Sequence, residues 1–71
     1  MTEMEWEFLK DPSENGWYAV LICYDPQEGI FPSAAYWDGE KWSHKSVSGF
    51  GVKCETEKEA EDLAYAHDPD A

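Results

Sequence analysis

The sequence predicts an α+β domain: an antiparallel sheet of four to five strands with one C-terminal helix packed on it. Three observations lead there. Apolar and polar residues alternate with period 2 in "EMEWEF" (3–8), and short apolar runs separated by turn residues continue to about residue 54. From Thr56 the period becomes helical, behind a capping signal. Finally, 71 residues that are 42% hydrophobic and 15% aromatic are enough for one small core and too apolar for an acidic disordered tail. The chain, 1–71, reads as a single small acidic domain.

The first strand, 3–8, puts Met4, Trp6 and Phe8 on one face and Glu3, Glu5 and Glu7 on the other. Glu is a poor strand former, and residues two apart on a strand stand about 7 Å from each other, so the three repel. "DPSENG" (11–16) is dense in turn residues. "WYAVLICY" (17–24) is apolar on both faces, as suits a central strand covered on both sides. "DPQEG" (25–29) is the next turn, and "IFPSAAYW" (30–37) a third strand with Pro32 near its start, where a missing N–H does least harm.

Asp38-Gly39 matches a two-residue type I′ hairpin turn, so a fourth strand is expected from Glu40 through Trp42 to about Ser46. "SGFG" (48–51) loosens the backbone as a bulge or turn, and "FGVKCE" is a last short strand. The helix is expected over 57–67. Thr56 and Glu59 form a T-x-x-E capping box, Ala60, Leu63, Ala64 and His67 share one narrow face, and Asp68-Pro69 stops it. The small face of the second strand, with Ala19, Leu21 and Cys23, suits that helix. Its other face, with Tyr18, Val20, Ile22 and Tyr24, needs a cover as well: either residues 1–16 or a second copy, which makes a homodimer the expectation.

The net charge is −11, from sixteen acids against five lysines, and there is no arginine. Arginine is the usual two-pronged binder of phosphate, and phosphates are repelled by such a chain, so neither direct nucleic-acid binding nor an anionic membrane fits. Residues 1–16 sum to −4 and 55–71 to −6, whereas 39–54 sum to +2. The N-terminus lacks the basic segment of a signal peptide, and the longest apolar run, 17–24, is too short to span a bilayer. A cytoplasmic protein is the expectation.

Two cysteines, Cys23 and Cys54, are too few for a disulfide scaffold. Both read as small buried apolar residues, and a bridge requires their strands to be neighbours. Cys23, His44, Cys54 and His67 lack zinc-ligand spacing, so no metal or cofactor is expected. His44 has no base-orienting acid near it in sequence and reads as a solvated strand residue; His67 reads as a helix end meeting the last carbonyls. Trp37 and Trp42 flank the Asp38-Gly39 turn. They read as cross-strand packing, with sugar stacking in a carbohydrate-binding module as the alternative.

The candidate functional residues are therefore carboxylates: Glu3, Glu5, Glu7, Asp11 and Glu14 from the first segment, and Glu57, Glu61, Asp62, Asp68 and Asp70 from the last. At minimum, Glu3, Glu5 and Glu7 block unwanted pairing at a sheet edge. A fuller reading makes them part of a face that imitates the charge track of a nucleic acid and docks on a basic protein. Asp68 and Asp70 oppose the helix dipole, which hints at a role other than stability. A small self-associating structural or regulatory protein is the alternative from another class.

From Trp6 to Trp42 the pattern of Trp6, "DPSENG", "WYAVLI" and "AAYWDGEKW" resembles a family of small phage and prophage proteins of unknown function. The ending departs from that family, which tends to close on a Trp-Pro strand where this chain has an acidic helix. The resemblance implies a counter-defence role. By class, it points to the small acidic anti-CRISPR and anti-restriction inhibitors, some of which act as DNA mimics.

Overall fold

The computed structural model describes residues 4–68. Glu3 and Asp70, two of the candidate carboxylates, lie outside them. Four strands, β1 (Glu7–Phe8), β2 (Gly16–Ile22), β3 (Phe31–Trp37) and β4 (Val47–Cys54), precede one helix, α1 (Glu57–Ala66). The strands form one antiparallel sheet in the order β1-β4-β2-β3. The α+β expectation holds, with four strands.

β2 sits between β4 and β3 and is buried on both faces from Tyr18 to Ile22. Period 2 sorts its side chains into two layers. Ala19 and Leu21 face the helix, whose Ala60 and Ala64 are fully buried; the small side chains let α1 approach closely. Tyr18, Val20 and Ile22 join Ala35, Trp37 and Phe50 in the main apolar cluster on the other layer. That second layer is covered from within the chain. Trp42, from the 38–46 segment, stands edge-on to Tyr18 with ring centroids 5.6 Å apart and packs on Trp37 at 5.1 Å. From the first turn, Pro12 is buried and the Glu14 carbonyl accepts the Tyr18 hydroxyl at 2.7 Å. The apolar second face thus gives no reason for a dimer.

Three expectations about strands are corrected. The first strand contracts from 3–8 to Glu7–Phe8. Leu9 takes a left-handed φ of 58°, which ends it on one side. On the other, Trp6 donates its indole N–H to the His67 carbonyl at 3.1 Å and ties the chain to the end of α1. The hairpin turn is displaced by one residue. Asp38 is the first turn residue rather than a central one, its N–H bonding the Lys41 carbonyl while its carboxylate accepts the amides of Glu40 and Lys41. Third, no strand runs from 40 to 46: Trp42 makes only an isolated bridge to Trp37. β4 crosses to the far side of β2 as one continuous strand through "SGFG", with register shifts that fit the expected bulge.

The helix matches its sequence signal. Thr56 is the N-cap, its hydroxyl accepting the Glu59 amide at 3.1 Å, a contact worth about 1 kcal/mol. His67 caps the other end, and its Nδ1–H donates to the Leu63 carbonyl at 3.0 Å. The two cysteines are free and lie toward opposite ends of the sheet: Cys54 pairs with Trp17, and Cys23 follows Ile22.

Candidate functional site

Six of the candidate carboxylates fall into two groups, one on each layer. Glu7, Asp11 and Glu14 line one shallow concavity over Tyr18 and Phe50. Glu7 is held there because it pairs with Phe50 on β4; Asp11 and Glu14 belong to the turn that follows. Lys10 and Lys53 line the same concavity, and Lys10 Nζ stands 3.6 Å from the Glu7 carboxylate. This group is therefore partly neutralised. Burial pushes the Tyr18 hydroxyl above its ordinary value, and the charge of Glu14 adds to the shift. Tyr18 is thereby a neutral hydrogen-bond donor at the floor of the site.

Glu57, Glu61 and Asp62 are exposed on the outside of α1. Asp62 pairs with Lys58 at 3.0 Å, the i,i+4 spacing that brings two helical side chains together. Glu57 and Glu61 form a second i,i+4 pair, with Tyr65, 59% exposed, one turn further along. Glu55, just before the cap, is exposed too, and Asp68 is half-buried after the helix. Glu5 is exposed in the segment before β1. The two groups stand on opposite layers, so they do not make one continuous row.

No family model, curated protein or solved structure matches the chain.

The remaining chemistry-bearing side chains are engaged in structure. Trp37 is buried and Trp42 half-buried, and their rings pack on each other within the core rather than forming an open stacking platform. His44 belongs to a loop, not a strand. Its Nδ1 accepts the Ser46 amide at 3.4 Å, which leaves the proton on Nε2 to meet the Tyr24 hydroxyl at 2.7 Å. Exposed Tyr24 packs on it and, on its other side, on exposed Phe31, a small aromatic patch that period-2 reasoning missed because it assigned Tyr24 to the buried face of β2. Burial, then the charge of Glu59, raises the Cys54 thiol above its usual range, so it stays protonated and inert. Among the described residues no group of His, Cys, Asp and Glu is arranged to hold a metal ion. No helix among them is long and apolar enough to cross a membrane.

Proposed function

We propose that this chain is a non-enzymatic, phage-type inhibitor of the anti-CRISPR or anti-restriction class, which binds a basic nucleic-acid-handling protein in the cytoplasm by presenting carboxylates in place of phosphates. The observation that carries this reading is where the charge stands. Among the described residues no polar or charged side chain is buried, and each of the eight candidate carboxylates that fall within them lies at or near the surface on a folded scaffold. The core is held together without them.

The helix supports the reading best. Glu57 and Glu61 project from rigid backbone about 6 Å apart along the axis, four residues of helical rise. Fixed carboxylates at a net charge of −11 raise the rate of encounter with a cationic groove and repel nucleic acid itself. The first-segment group is the weaker half, because Lys10 and Lys53 share its concavity.

The test is a pull-down from host lysate with wild type and two charge-reversed variants, Glu57→Lys with Glu61→Lys and Glu7→Lys with Glu14→Lys, at low and high salt. The expected result is a nucleic-acid-binding protein retained by wild type at low salt, released at high salt and by added DNA or RNA, and lost from the helix variant. Retention of the same proteins by all three, whatever the salt, overturns the proposal.

A further inference from the structure

The outer edge of β4 is only half paired. β1 covers Gly49 and Phe50, and among the described residues no strand pairs with the outer side of 51–54. What meets that edge is a side chain. The Val52 N–H is aimed at Met4 Sδ, 3.4 Å away, and the same methionine lies over Gly51, where an added Cβ would come within 2.5 Å of the sulfur. A thioether is a weak acceptor, so a backbone carbonyl would replace it favourably. Val52 is itself 49% exposed. The edge therefore offers a directed amide, a glycine that admits close approach, and an exposed apolar side chain.

Its surroundings select the sign of an incoming chain. β4 runs straight into exposed Glu55, followed by Glu57 and Glu59 in the first helical turn, and Glu5 is exposed on the Met4 side. Lys53, the cation of this stretch, reaches away across the sheet; its Cε lies 2.6 Å from where a Cβ on Gly16 would stand. A second copy of the chain is the wrong occupant, because pairing edge to edge would bring two chains of charge −11 together. At the opposite edge of the sheet, Pro32 lacks an N–H, and both backbone groups of Tyr36 are taken by Ser43.

We propose that the 51–54 edge of β4 is a strand-addition site for an extended, lysine- or arginine-bearing segment of a partner protein, whose backbone displaces the Met4 side chain. Backbone hydrogen bonds would give affinity, and the flanking carboxylates the choice of partner. The sign of the partner rests on the function proposed above; the edge and the mode of capture are new.

The test titrates isotope-labelled protein with three short capped peptides: alternating valine and lysine, the same peptide N-methylated on its pairing edge, and alternating valine and glutamate. The valine–lysine peptide should shift the amides of 51–54 and slow hydrogen exchange at Val52. The N-methylated form, equal in charge, should bind about tenfold more weakly or worse, the loss of one backbone hydrogen bond. Met4→Ala should tighten binding, and Val52→Pro should abolish it. Equal binding of the methylated and unmethylated basic peptides, or binding that leaves Val52 unprotected, overturns strand addition and leaves the acidic-surface reading standing. Failure of both basic peptides to bind at low salt overturns the two together. Should Val52→Pro not fold, protection of Val52 in the wild type decides the matter.

Discussion

Leu9 is the residue most at odds with its own chemistry. It combines a φ of 58° with complete exposure, 103% of its reference area. The left-handed region costs a side chain with a Cβ about 1–2 kcal/mol, and a fully exposed leucine buries nothing in return. Leu9→Gly removes that cost, offset by the about 0.5–1 kcal/mol that glycine's extra freedom takes from folding. The expected outcome in a thermal melt is a rise on the order of 4 °C. Leu9→Ala retains the strained backbone and should stay within about 0.5 kcal/mol of wild type. A clear loss of stability in both variants would mean that the leucine side chain packs against something, and the strain account would be wrong. Nothing in "EFLKD" announces this conformation: Leu9 has no tolerance for positive φ, and the strand is broken there by the path the chain must take to bring Pro12 and Glu14 over Tyr18.

Individual elements were legible where their cause is local and illegible where it is not. The cap at Thr56 and the Ala60/Ala64 face specify α1 within a dozen residues of sequence, and the two-sided apolar run specifies β2. The 40–46 segment failed as a strand because it carries one apolar residue, Trp42, among polar ones; one large ring anchors a loop but does not make an alternating face. Freed from pairing beside β3, the chain carries β4 to the far side of β2. The Asp38 turn is the local device that starts this path. Its carboxylate is held below its ordinary value of 3.8 by the amides of Lys41 and Glu40. A group whose value is lowered by folding stabilises the fold above its unfolded value, and that contribution disappears as pH falls through the folded one. Asp38→Ala should therefore melt below wild type at neutral pH, and the gap should narrow under acid as pH passes below 3.8. A gap that is constant with pH would show that the ionised carboxylate is not what holds the turn.

At the scale of the whole molecule, the identity of the candidate carboxylates could be read from sequence, but their grouping could not. Charge carries no period that assigns a residue to a layer, and it is the pairing of Glu7 with Phe50 that puts one group across the sheet from the helix. What the two groups share is a long-range field. The molecule measures 30 × 30 × 19 Å and carries a net charge of −11. Screening extends over about 30 Å at 0.01 M salt, so every carboxylate then feels the others; at 1 M it falls to about 3 Å and none do. Self-repulsion of this kind destabilises a compact state. The melting temperature should therefore rise between 0.01 and 1 M sodium chloride. Binding should behave differently, because only the layer that touches the partner matters to it: reversal at Glu57 and Glu61 should release the partner, while reversal at Glu7 and Glu14, which breaks the Glu7–Lys10 pair and sets new cations beside Lys53, should leave the partner bound. A melting temperature that is flat with salt would remove the premise that the acidity is held against stability, and with it the reason to look for its use in a partner.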